Sequence, residues 1–196
     1  MIIHLVRHGQ PLVGSDGLYL PNAGLTELGR LQAAQVAKHI VSLNPEAAFT
    51  SNVPRAIETA SHFSAHTNLP ASQIPDLGEL ETGNIWDAPD SIKRRIASGD
   101  YHVDFKALGG ETLGEFNDRV KRGFAELLAA SSSLRLTQIV AFLHEGVIGT
   151  IIDHMEGRHS FDSKRREMMP YGSLITVNTD KSAPHFPGQW DTDHLE

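Results

Sequence analysis

The chain has 196 residues, 40% hydrophobic and 21% charged, which at ~150 residues per domain predicts one domain with a real core. Lys and Arg total 17 against 24 Asp and Glu, a net charge of -7, so no basic face for nucleic acid is expected. Cysteine is absent, which excludes disulfide scaffolds, thiol nucleophiles, thiolate metal sites and iron–sulfur clusters.

In chain order, Ile2–Val6 reads as a first strand entering the loop Arg7-His8-Gly9, not as a secretory leader. Ala33, Val36, Ala37, Ile40 and Val41 then form one helical stripe, with Thr26 as N-cap and Glu27 favourable to the helix dipole. A strand at Ala47–Thr50 precedes a helix starting near Pro54, with Ser51 or Asn52 expected to cap it. Gln73–Leu77 is the next expected strand. The segment from Leu80 to Gly110, broken by Pro89, Gly99, Gly109 and Gly110, is a candidate lid. Thr112 and Glu115 have capping-box spacing ahead of a helix carrying Leu113, Phe116, Val120, Phe124, Leu127 and Leu128. A strand at Gln138–Leu143, a helix after Gly146 and a strand at Leu174–Val177 follow, and the tail from Thr179 to Glu196 reads as irregular. The longest apolar run, Ile139 to Leu143, falls far short of the ~20 residues that span a bilayer. A soluble, cytoplasmic protein with no membrane partner is expected.

Strands alternating with helices predict an α/β domain over residues 1–196, a three-layer sandwich with a mostly parallel central sheet. Ligands of such sheets bind beyond the carboxyl ends of the strands. Arg7 and His8 follow the first strand, Arg55 the second, Glu79 the third and His144 the fourth. Arginine forks hold phosphate oxygens, and a helix start adds N–H groups, here from the backbone of Glu145 and Gly146. A neutral imidazole can attack phosphorus, while a carboxyl protonates the leaving oxygen and later activates water. Singly, each residue also has a plainer reading. Arg55 could pair with Glu58, Glu79 could be a surface carboxylate, and His144 could be a hydrogen-bonded strand-end histidine.

These segments resemble the histidine phosphatase superfamily, also called the phosphoglycerate mutase-like family. Leu5-Val6-Arg7-His8-Gly9-Gln10 is similar to its leading motif. Ser51 with Arg55-Ala56, Leu77-Gly78-Glu79, Gly109-Gly110-Glu111-Thr112, and His144 with Gly146 resemble the later ones in order and spacing. The resemblance implies that His8 is the phosphorylated nucleophile and that Arg7, Arg55 and His144 hold the phosphoryl group. Glu79 would be general acid, then base. It also implies an antiparallel edge strand near Leu174–Val177 and a phosphorylated small molecule or phosphoprotein as substrate, with inorganic phosphate as product and no cofactor.

The chain departs from the family pattern at Gly14, where many members carry asparagine, and at Glu145, where glycine is usual. A carboxylate at 145 is expected to repel a second anionic group unless it points away. Leu80, Glu81 and Thr82 replace the arginine, histidine and tyrosine of the mutases, removing positive charge that a highly anionic substrate needs. The expected activity is therefore metal-independent phosphomonoester hydrolysis through phosphohistidine. The alternatives are a cofactor-dependent mutase and a non-catalytic phospho-ligand binder. No metal site is expected among the 11 histidines: His154 and His159 lie five apart at a helix end, and His62 and His66 read as surface residues. Lys93-Arg94-Arg95 reads as a solvated helical face.

Overall fold

The structure is a computed structural model and describes all residues except 21, 99, 101, 159–168, 180–190 and 196. Strands β1 (Ile2–Arg7), β2 (Ala47–Thr50), β3 (Ala71–Gln73), β4 (Gln138–Leu143) and β5 (Leu174–Asn178) form one sheet in the order β3-β2-β4-β1-β5. All pairings are parallel except β1 with β5, the antiparallel edge. The mixed, mainly parallel α/β architecture is the one expected from the alternation.

The inner strands are buried on both faces, so they read as nearly continuous apolar runs. Ile3, Leu5, Ile139, Ala141 and Leu143 face one way, into a cluster with Phe116, Val120, Phe124, Val147 and Ile148. These last residues come from α4 (Leu113–Ser133) and α5 (Glu145–Met155). Val6, Val140 and Phe142 face the other way, against Val36 and Ile40 of α1 (Glu27–Leu43) and Phe63 of α2 (Pro54–Thr67). A period of two along the strands thus sorts two helix layers.

Thr26 caps α1 by accepting from Gly29 N, and Thr112 and Glu115 form the reciprocal capping box of α4. Two expectations change. The third strand ends at Gln73, because Pro75 cannot donate to a ladder and starts a 3-10 turn instead, Pro75–Leu77. The N-cap of α2 is Val53 without a side-chain bond of its own, and the Ser51 hydroxyl contacts His144 while accepting from Val53 N at 3.2 Å.

The 80–110 segment contributes Leu80, Val103 and Phe105 to the core and carries the helix α3 (Asp90–Ala97) between the 3-10 turns Ile85–Asp87 and Lys106–Leu108. Arg94 and Arg95 are exposed, and Arg95 pairs with Asp100 at 2.8 Å. In the tail, Asp191 bridges to Leu174 and residues Asp193–Leu195 form a 3-10 turn. Positions 180–190 and 196 of the expected irregular tail, positions 99 and 101 of the expected lid and His159 lie outside the described residues. Among the described residues no helix is long and apolar enough to cross a membrane.

Candidate active site

Parallel register builds the site. Arg7 stands opposite Leu143, so the residues that follow them, His8 and His144, leave the sheet side by side with ring centroids 5.1 Å apart. Thr50 stands opposite Phe142 on the other flank of β4, which brings Ser51 Oγ within 2.8 Å of His144 Nε2. Arg55 enters from the first turn of α2. Glu79 follows the Pro75–Leu77 turn and reaches the start of α5, where its Oε2 accepts from Gly146 N at 3.4 Å. A Cβ on Gly146 would lie 2.6 Å from Glu79 Oε1, so only glycine admits this carboxyl.

The His8 ring is 1% exposed and its two nitrogens have distinct partners. Nδ1 lies 2.7 Å from the Gly9 carbonyl, which can only accept, so Nδ1 carries the proton. Nε2 accepts from Arg55 Nε at 3.1 Å. Burial and the guanidinium groups of Arg55 and Arg7 hold the His8 pKa well below 6.5. His144 is shifted the same way by burial, Arg55 and His8. For Glu79, burial raises the pKa above 4.5 against the pull of Arg55 and of two backbone N–H groups. Two neutral imidazoles and a carboxyl whose pKa is raised by burial therefore share one partly desolvated space.

Arg7 and His144 also hold polar atoms with no hydrogen-bond partner, Arg7 Nε and His144 Nδ1. Buried donors without partners cost stability unless a ligand or water takes them up, and an anion suits the guanidinium.

The residues expected at this sheet edge, Arg7, His8, Arg55, Glu79 and His144, are brought together. Arg55 is not spent on Glu58, which pairs with Arg30 at 3.5 Å and accepts from Leu25 N. Gly146 N donates to Glu79. The Glu145 carboxylate neither projects freely nor turns away: it pairs with Arg7 at 3.0 Å, tempering that charge.

Four further residues shape the site. Tyr19 and Tyr171 share a hydroxyl contact of 3.0 Å beside His8, and their rings cover Arg55 and Arg7 at 4.9 and 4.0 Å. Arg119 of α4 donates to the carbonyls of Asp76, Gly78 and Glu79 at 2.9, 2.9 and 3.2 Å. Its charge is balanced by Glu111, which also accepts from Glu81 N at 3.0 Å. No local pattern marks the tyrosines or Arg119. Glu111 sits in a recognised motif whose spacing does not disclose this pairing.

A sheet edge that offers guanidinium groups to an anion beside an unprotonated imidazole defines an α/β protein built to handle phosphoryl groups. The model of the histidine phosphatase superfamily (branch 1) matches residues 3–191, and the chain belongs to that family. Its class is that of a histidine phosphatase. It is 26% identical over 216 residues to a Schizosaccharomyces pombe protein named "Probable phosphatase", covering 100% of this chain and 96% of that one. Identity to the adenosylcobalamin/alpha-ribazole phosphatase of Escherichia coli is 27%, over 80% of each chain. Among solved structures, the alpha-ribazole phosphatase of Shigella flexneri superposes with a TM-score of 0.76 at 23% identity. The overlap covers 95% of this chain and 94% of that one, a likeness of fold.

Proposed function

We propose that this protein hydrolyses small phosphomonoesters through a phosphohistidine formed on His8 Nε2. The observation that carries the reading is the pinned His8 ring: with Nδ1–H bonded to the Gly9 carbonyl, the lone pair resides on Nε2. That lone pair faces Arg55 Nε, a donor a phosphoryl oxygen can take over.

In the first step Nε2 attacks phosphorus and the bond to the ester oxygen breaks. The leaving oxygen takes a proton from Glu79, whose protonated form burial favours. Arg7, Arg55 and His144, with the N–H groups at the start of α5, hold the charge on the transferred group. In the second step Glu79 removes a proton from water, which attacks the phosphorus and breaks the N–P bond. His8 is again neutral, Glu79 again protonated, and inorganic phosphate leaves.

Hydrolysis is favoured over mutase chemistry by charge. Leu80 is 7% exposed and Glu81 is acidic where the mutases carry cations, and Glu145 already neutralises part of Arg7. A substrate bearing one phosphate fits this balance better than a bisphosphate. The two alpha-ribazole phosphatases among the similar proteins are consistent with a phosphorylated metabolite as substrate.

Hydrolysis of a chromogenic aryl phosphate with chelator present tests the reading. Wild type is expected to turn over and to release a burst of phenolate matching one phosphoenzyme per site, and His8→Ala to lose both. Full activity in His8→Ala would overturn the assignment of the nucleophile.

A further inference from the structure

On the face of the molecule formed by α1 and the tail, three side chains meet that the proposed reaction does not use. His39 of α1 lies with Nε2 3.1 Å from Asp191 Oδ2, and His194 with Nδ1 3.6 Å from Asp191 Oδ1. The two imidazoles stack, with centroids 5.1 Å apart and planes inclined by 16°. The three ligand-type atoms all lie within 4.8 Å of one another.

The hydrogen bonding of His194 makes this more than a chance cluster. Its Nε2 is 2.8 Å from the Gly172 carbonyl, an obligate acceptor, so Nε2 carries the proton. In the neutral ring Nδ1 then has a lone pair, and it faces a carboxylate that is also an acceptor. The side chain is 5% exposed and Nδ1 has no hydrogen-bond partner. Two acceptors turned toward each other at 3.6 Å are reconciled by a proton or a metal ion between them, and the third ligand-type atom, His39 Nε2 on the same carboxylate, is one a metal ion uses and a proton does not. Ligands about 2.0–2.1 Å from a tetrahedral zinc ion stand roughly 3.3–3.4 Å apart, close to both observed spacings. The Gly172 carbonyl is the outer partner that metal-ligating histidines characteristically have, fixing tautomer and ring orientation.

We propose that His39 Nε2, Asp191 Oδ and His194 Nδ1 form a zinc-class divalent cation site, with water completing the coordination. Its role is structural. The site ties the tail to α1, and through the His194–Gly172 bond it braces the turn bearing Tyr171, whose ring lies 4.0 Å from the Arg7 guanidinium. Gly172 is held tightly there, since its φ is +76° and a Cβ would meet Gln32 and Leu195 at 3.1 and 3.2 Å. The inference is independent of the phosphatase mechanism and can fail without it.

Zinc chloride titration against a competing chromophoric chelator tests the proposal, using protein without an added histidine tag. Wild type is expected to retain one zinc per chain. His39→Ala and His194→Ala should each weaken it by more than the roughly 10–100-fold cost of losing an outer-sphere partner. Thermal unfolding should move upward with zinc in wild type and stay fixed in both variants. No retained zinc, or zinc retained equally by folded variants, would overturn the proposal. Zinc-edge X-ray absorption on wild type reads the same point without substitution: two imidazole nitrogens and carboxylate or water oxygens support the site, and any other shell refutes it.

Discussion

A buried imidazole serves as a nucleophile only if its proton is kept on the far nitrogen, and a carboxyl serves as an acid only if something withholds water from it. In the proposed reaction the Gly9 carbonyl does the first for His8, and burial beside α5 does the second for Glu79. Glu79 sits on a short turn with little intrinsic rigidity, so its aim depends on Arg119. That guanidinium gathers the carbonyls of Asp76, Gly78 and Glu79, and Glu111 keeps it in place. We assign Arg119 as a positioning residue. In Arg119→Met, turnover of alkyl phosphates should fall roughly 10- to 100-fold, the scale of a displaced catalytic group. Aryl phosphates, whose leaving oxygens need little protonation, should be affected much less. The alkaline limb of the pH–rate profile, set by loss of the Glu79 proton, should move, and Arg119→Lys should recover part of the loss. An equal loss on both substrate types with an unmoved limb would mark Arg119 as merely structural.

Between elements, one of the tightest contacts joins the start of α1 to the loop that carries His8. A Cβ on Gly29 would lie 2.1 Å from the Gln10 carbonyl oxygen, and one on Gly9 would lie 2.2 Å from the Gly29 oxygen. Thr26 N and Gln10 O bond across the same junction at 2.9 Å. Gly29→Ala must push α1 away from backbone that cannot yield, so urea unfolding should show a loss of about 1–3 kcal/mol, as for overpacked cores. Aryl phosphate turnover should drop too, because the His8 loop moves with it; unchanged stability would mean that the junction opens freely. This contact also marks where sequence reading stops. Strands and caps are local, so β1, β4, Thr26 and the Thr112–Glu115 box were legible from periodicity and spacing. The adjacency of Arg7, His8 and His144 was legible because register in a parallel sheet turns order along the chain into neighbourhood, while Arg55 and Glu79 reach the same edge from the first turn of α2 and from beyond the Pro75–Leu77 turn. Tyr19, Tyr171 and Arg119 were not, since each reaches the site across a distance that no local pattern records. His39 and His194 were hidden for the same reason. The third strand was displaced because Ile74 looked like strand while Pro75 decided the backbone.

Across the whole molecule, the cost of keeping histidines neutral inside an acidic protein should appear as a pH dependence of stability. Among the described residues, His4, His8 and His144 are buried as whole residues. His4 stands outside the reaction. Its Nδ1 lies 2.8 Å from Thr176 Oγ1, and its Nε2 faces the Gln138 amide nitrogen at 3.1 Å. An amide NH2 can only donate, so His4 is held as the neutral Nδ1–H form. Burial, then the nearby His39, lowers its pKa to about 4. His8 and His144 are also lowered well below 6.5, with burial the leading cause. As pH falls through 6.5, the unfolded chain takes up protons that the native state refuses. Stability therefore decreases toward about pH 4 for His4, by at most about 1.4 kcal/mol per pH unit for each histidine. Glu79 acts with the opposite sign. Its raised pKa means that ionising it costs more in the native state than in the unfolded chain, a penalty that is relieved as pH drops toward 4.5. Three histidines outweigh one carboxyl over most of this window, so urea midpoints should fall steadily from pH 7 to pH 5. His4→Gln separates the contribution of His4 from the site, because it removes one titrating group without touching the catalytic residues. Its slope against pH should be shallower than that of wild type, by up to one proton. Equal slopes would mean that His4 is protonated in the native state and that the buried neutral ring is not what the acid limb reports.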